Sequence, residues 1–264
     1  MFMKRMMIGL VFLFVLGGCQ VNSTDSKTTD TSTSSIKKIS SKPSEKKSSK
    51  EATSSTEQLK EDKTVNYTPG SLIEAVSSND SAKVSEILKT STHSIDETNE
   101  KGETPLLIAV HNNQVELTRK LIDAGANVNK QDAIKDSPYL YAGAEGRTEI
   151  LAYIMSHSKP DQSITNRFGG NALIPAAEKG HLDNVKLLLT DEQVNINHQN
   201  NYGYTALIEA VALRDGSQVY QDIVAELLKH GADPNLADKY GKTAKDYANE
   251  LGYGNISRLL EEQS

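Results

Sequence analysis

The chain has 264 residues, with 29 Lys and Arg against 35 Asp and Glu, a single cysteine and no tryptophan. One cysteine excludes an internal disulfide framework and any site built from clustered thiolates. Composition changes sharply along the chain, so the segments are read one at a time.

Residues 1–19 carry Lys4 and Arg5, then an apolar run from Met6 to Leu16 that ends in Leu16-Gly17-Gly18-Cys19. A charged start, a short apolar stretch and small residues before a processing point make an export signal. Crossing a bilayer takes roughly 20 apolar residues and this run has about half that, which disfavours a retained span. Leu16-Gly17-Gly18-Cys19 resembles the lipobox of bacterial lipoproteins. The resemblance implies that the Cys19 thiol takes a diacylglyceryl group, becomes the first mature residue and anchors the chain to the extracytoplasmic face of the cell membrane. An ordinary secretory signal that happens to contain cysteine is the other reading.

Residues 20–66 hold 20 Ser and Thr in 47 positions. They contain too few apolar side chains to offset the entropy of ordering, so a disordered tether is expected, with a root-mean-square span of roughly 40 Å. Seven lysines between Lys27 and Lys50 face only Asp30 and Glu45. That excess suits anionic lipid or wall polymer near the anchor, and suits a soluble spacer equally well.

Residues 67–264 contain 18 basic and 28 acidic residues, a net charge of −10. With no basic stripe, this region is not expected to bind nucleic acid, and a neutral or basic protein partner fits it better. A repeat runs through it. Ala75, Ala109, Ala142, Ala176, Ala210 and Ala248 follow one another at spacings of 34, 33, 34, 34 and 38. Three residues before each stands Leu72, Leu106, Tyr139, Leu173, Leu207 or Lys245; twelve after it stands Ile87, Leu121, Ile154, Leu188 or Leu260. Only in the fifth unit is the equivalent, Leu227, 17 residues away, which marks a five-residue insertion. Residues three or four apart share one helix face, so each Leu and Ala form an apolar stripe. Asn79, Asn113, Gly146, Gly180 and Gly252 lie four residues after the alanine and suit the left-handed turn that ends a helix. The fifth unit has Arg214 there. Each unit therefore reads as helix, turn, helix and extended connection.

Thr104-Pro105-Leu106-Leu107-Ile108-Ala109 resembles the ankyrin signature Thr-Pro-Leu-His-x-Ala. Residues 180–189 and His230-Gly231-Ala232-Asp233-Pro234-Asn235 resemble its second helix and exit. The resemblance covers about 67–264 and implies a mainly α ankyrin-repeat solenoid of about six repeats, its units joined by β-hairpin or loop fingers. The signature histidine is replaced by Leu107, Leu140, Ile174, Ile208 and Asp246, so the hydrogen bonds it makes in the family are missing. The first unit lacks Thr-Pro and the last ends in polar residues, as solenoid caps do.

No His-x-x-x-His pair, cysteine cluster or phosphate-binding glycine loop appears, and the six histidines read as structural. No enzyme activity, cofactor or metal is expected. The resemblance implies a concave protein-binding face made by the fingers and inner helices. The third finger positions are Lys101, Ile134, Phe168, Tyr202 and Tyr240; Glu103, Asp136, Glu145 and Glu178 would add acidic contacts or stand as solvated charges. Large rings at a charged rim are common energetic centres of interfaces, although each could instead pack on its own finger. The expected function is a monomeric, membrane-anchored, protein-binding lipoprotein. It would serve as an immunity protein or inhibitor of a secreted toxin or enzyme, or as an accessory factor for a surface enzyme. The alternative is a structural or adhesive surface protein.

Overall fold

The computed structural model describes residues 67–90 and 94–262. The export signal, Cys19 and the tether lie outside them. Twelve helices and no strand are formed among the described residues. They pair as α1 (Ser71–Ser77) with α2 (Ser81–Lys89), α3 (Pro105–His111) with α4 (Val115–Asp123), and α5 (Pro138–Ala144) with α6 (Thr148–His157). The series continues with α7 (Leu173–Glu178) and α8 (Leu182–Leu188), α9 (Ala206–Ala212) and α10 (Gln218–Lys229), and α11 (Ala244–Leu251) and α12 (Gly254–Glu261). Odd-numbered helices stack on one another as an inner layer and even-numbered helices as an outer layer, giving six repeated units.

The repeat markers are the core. All six alanines are fully buried, as are Ile87, Leu121, Ile154, Leu188, Leu227 and Leu260. Leu72, Leu106, Tyr139, Leu173 and Leu207 are buried too, and Lys245 alone among these positions is partly exposed. A helix of about seven residues is marginal on its own, so this shared interior, rather than propensity, holds the helices.

Local signals set the helix ends. Thr104, Ser137, Thr205 and Thr243 cap the inner helices by accepting backbone N–H bonds from Leu107, Leu140, Ile208 and Asp246. Pro105 and Pro138 stand at the first helical position, where no N–H is needed. Asn79, Asn113, Gly146, Gly180 and Gly252 all take positive φ, as the turn requires. The next residue then donates its N–H to the carbonyl of the marker alanine, for example Gln114 to Ala109 at 2.9 Å. Unit one lacks a Thr-Pro start, and its α1 is closed from the neighbouring connection. The Glu97 carboxylate accepts from the Gly70 N–H at 2.8 Å and the Ile73 N–H at 3.1 Å.

The five-residue insertion of the fifth unit is shared between a turn and a helix. Its left-handed residue is Gly216, and α10 runs 12 residues, with Leu227 in the tenth place where Leu188 and Leu121 take the seventh of theirs. Three of the five added residues thus extend the helix and two lengthen the turn. Both parts are packed. Arg214 pairs with Glu178, the Tyr220 hydroxyl donates to the Glu178 carbonyl at 3.3 Å, and the Tyr253 hydroxyl donates to the Arg214 carbonyl. The insertion therefore ties unit five to both neighbours.

Candidate protein-binding face

Five connections join each outer helix to the next inner one, and their tips share one device. Asn99, Asp132, Asn166, Asn200 and Asp238 each accept two backbone N–H bonds through Oδ1, from the residues two and four further on. The residue two further on is Lys101, Ile134, Phe168, Tyr202 or Tyr240. The tip side chains therefore stand on turns fixed by a side-chain clamp. Neighbouring tips are also bonded, with Ala133 N–H to the Lys101 carbonyl, Asn201 N–H to that of Phe168 and Lys239 N–H to that of Tyr202, at 2.9–3.1 Å. The approach is close: a Cβ on Gly203, where φ is +80°, would meet Lys239 N at 2.8 Å.

The tips project into solvent. Ile134 is 52% exposed, Phe168 46%, Tyr202 47% and Tyr240 74%, and Lys101 is exposed as well. Their rings are not isolated. The Arg167 guanidinium lies 4.8 Å over the Phe168 ring and 3.7 Å from Asp136, and the Tyr202 and Tyr204 centroids are 6.3 Å apart. Tyr204 meets Tyr247 edge-on at 6.3 Å, and the Tyr247 hydroxyl donates to Asp238 at 2.5 Å. The last two fingers are thus joined to inner helix α11 through their tyrosines.

The four acidic residues expected here are all engaged within the chain. Glu103 accepts from the Asn99 amide at 2.7 Å and lies 3.3 Å from His111 Nδ1. Asp136 pairs with Arg167, Glu145 with Lys179 and Glu178 with Arg214, in each case across two units. Burial pushes the Asp136 carboxyl upward, against the pull of Arg167. Asp136, Glu145 and Glu178 thereby cross-link successive repeats, and Glu103 ties its own finger to α3.

Sequence reading missed Glu209, on the α9 position just before Ala210. It is 6% exposed, with Oε1 accepting from the Asn200 amide at 2.9 Å and Oε2 shielded without a donor. Burial first, then the nearby Glu178, push its carboxyl up to about 8, while Asn200 and Arg214 pull the other way. Asn200 is also the clamp of the Tyr202 tip, so the finger and Glu209 are directly connected. The clamp residues themselves were findable, because Asn or Asp recurs with the repeat at spacings of 33, 34, 34 and 38. Glu209 carried no such signal, since five of the six units place another residue type or an exposed glutamate there.

Among the described residues no group of three or more His, Cys, Asp or Glu is arranged to hold a metal ion, and no helix is long and apolar enough to cross a membrane. An open cleft of about 280 Å³ beside the insertion is lined by Gly216, Gln221, Tyr253 and Asn255, with no carboxylate, histidine or thiol.

A family model for ankyrin repeats (3 copies) matches residues 72–164 and 141–238. The chain is 44% identical over 160 residues to the ankyrin repeat protein YahD of Escherichia coli (strain K12), covering 61% of this chain and 79% of that one. The crystal structure of the ankyrin repeat protein EF0377 superposes with a TM-score of 0.73 at 58% identity, over 75% of this chain and 99% of the other. An ankyrin repeat domain from Acinetobacter baumannii AYE gives a TM-score of 0.71 at 46% identity, over 74% and 98%.

Proposed function

The chain belongs to the ankyrin-repeat family, and on that premise we propose that its finger tips and inner helices bind a protein partner outside the cytoplasm, with the chain held at the membrane through Cys19. Ankyrin repeats are protein-interaction modules. The observation that carries the reading is the row Ile134, Phe168, Tyr202 and Tyr240, large apolar side chains left exposed on tips that the clamps hold in place. Folding does not use that area, and preordered aromatic side chains lose little entropy when a partner covers them. The lipobox resemblance of Leu16-Gly17-Gly18-Cys19 supports the anchor and the extracytoplasmic location. A protein-binding face on a lipid anchor suits two tasks: neutralising a secreted toxin or enzyme as an immunity protein, or assisting an enzyme at the cell surface. The acidic repeat region favours a neutral or basic partner.

A photo-crosslinking residue at position 202, compared with one at Arg119 on outer helix α4, tests the face directly. A single protein captured from the secreted and envelope fractions at 202 and absent at 119 is expected. Equal capture at both positions, or none at 202, contradicts the reading. The anchor is tested by Cys19→Ala and cell fractionation. The variant should leave the membrane fraction and take up no lipid label; unchanged membrane association would show that the anchor lies elsewhere.

A further inference from the structure

The insertion of the fifth unit leaves an open cleft that the finger row does not use. It holds about 280 Å³ and lies between the turn that follows α9 and the turn that follows α11. Gly216 and Gln221 line it from the lengthened turn and α10, and Gly252, Tyr253, Gly254 and Asn255 line it from unit six. The cleft is accessible. Gly252, Gly254 and Asn255 are exposed, and a Cβ placed on Gly252 or Gly254 would meet nothing within 4 Å. Two glycines side by side in open space let another backbone come close.

Its polar groups suit a peptide unit. Gln221 Nε2 donates to the Gly216 carbonyl at 2.9 Å, and Asn255 Nδ2 donates to Gln221 Oε1 at 3.2 Å. Each of these amides has a second N–H to give, and Asn255 Oδ1 accepts no hydrogen bond among the described residues. No charged side chain lines the cleft: Arg214 is paired with Glu178, and Asp215 Oδ1 accepts from the Ser217 N–H at 3.0 Å. A charged group seated there would lose water without gaining a counter-charge.

Two leucines flank it. Leu213 and Leu251 stand three residues after Ala210 and Ala248, where the other four units have Ser78, Asn112, Glu145 and Lys179. They are 40% and 42% exposed. Leu251 directly precedes Gly252, and Leu213 directly precedes Arg214, whose carbonyl takes the Tyr253 hydroxyl. Their helices, α9 and α11, pack on each other, and packed helices lie roughly 8–10 Å apart. In an extended chain with three residues per turn, side chains three apart return to one face after roughly 9 Å.

We propose that this cleft binds an uncharged extended segment of a protein, with two apolar side chains three residues apart resting on Leu213 and Leu251. The peptide groups between them bond the Asn255 and Gln221 amides, over the open glycines. The site goes beyond the finger row, because Tyr202 and Tyr240 precede α9 and α11 whereas the leucines and the cleft follow them. It also gives the insertion a task, since Gly216 and Gln221 form one wall.

The test is an amide NMR titration of the isotopically labelled full chain with acetyl-Leu-Gly-Gly-Leu-amide. Saturable shifts are expected at Gly216, Gly252, Gly254 and Asn255, and none at the finger glycines Gly102, Gly169 and Gly241. Gly254→Leu fills the cleft at a position without left-handed backbone and with open space for its Cβ. It should keep the melting temperature and weaken binding about ten-fold or more. Leu213→Ser combined with Leu251→Ser, both at exposed positions, should weaken binding several-fold and serves if Gly254→Leu fails to fold. Replacing both peptide glycines by lysine should weaken binding at the cleft, although the net charge of −10 over residues 67–264 attracts that peptide. Absence of saturable shifts at the cleft, shifts confined to the fingers, unchanged affinity in a folded variant, or tighter binding of the lysine peptide at the cleft overturns the site. Crosslinking at position 202 tests the finger row separately, so either site can fall without the other.

Discussion

Asn200 spans two structural levels with one side chain. Its Oδ1 closes the finger turn through the N–H groups of Tyr202 and Tyr204, and its amide reaches the buried Glu209 carboxylate. That carboxylate has a measurable consequence for stability. Its pKa is raised in the folded chain from an ordinary 4.5 to about 8, so the folded state holds a proton that the unfolded state releases between those values. Stability contributed by this group is complete below pH 4.5 and falls as pH rises through the window to about 8. Chemical denaturation of the parent and Glu209→Gln at about pH 5 and pH 8 should show the variant gaining relative to the parent on going to pH 8. A constant difference between the two would show that Glu209 is already ionised and compensated. The residue-level facts the sequence carried poorly are of this kind: Glu97 closing α1, and Asn184 fully buried with its amide donating to the Ala142 and Gly143 carbonyls. Each bonds across units, and nothing in a residue's own neighbourhood along the chain announces a partner about 24–42 positions away.

At the level of elements, the helices and their ends were legible because the signals are local. A Leu and an Ala three apart, a Thr or Ser before them and an Asn or Gly after them fix where a short helix starts and stops. The insertion was located correctly by two markers but not its character, because length alone does not say whether added residues extend a helix or a turn. Here they mostly extend α10, and their side chains are held by units four and six. Shortening is therefore not neutral. Removing residues 214–218 should cost roughly 1–3 kcal/mol, from the lost Arg214–Glu178 pair and the two tyrosine hydroxyl bonds. Equilibrium urea denaturation measures it, and an unchanged midpoint would show that these contacts contribute nothing.

For the whole molecule, the solenoid makes stability a sum of units and the interfaces between neighbours. Among the described residues, the extensive helix contacts join helices of the same or adjacent units. The six helix pairs run from Ser71 to Glu261, and residues 1–66 are proposed as signal and tether, so a chain beginning at Asn66 should keep the helical circular dichroism and melting temperature of the longer one. A large drop would place stabilising contacts in the removed residues. The period followed from spacing, because the same interior contact recurs every 33 or 34 residues and, across the insertion, after 38, whereas the solenoid and the row of tips followed from the resemblance to ankyrin repeats. The electrostatics of the face did not: Glu103, Asp136, Glu145 and Glu178 look like a free acidic rim in sequence and are paired side chains in the folded chain.

The division of labour between interior and tips is tested most directly by one variant. Truncating Leu188, buried in the core, to Ala should cost about 2–5 kcal/mol of stability. The triple variant Phe168→Ala, Tyr202→Ala and Tyr240→Ala should instead melt within a few degrees of the parent, and lose most of its affinity for the protein crosslinked at position 202. A triple variant that melts far below the parent, or that binds that protein as tightly as the parent does, contradicts the assignment of the finger row as the binding face.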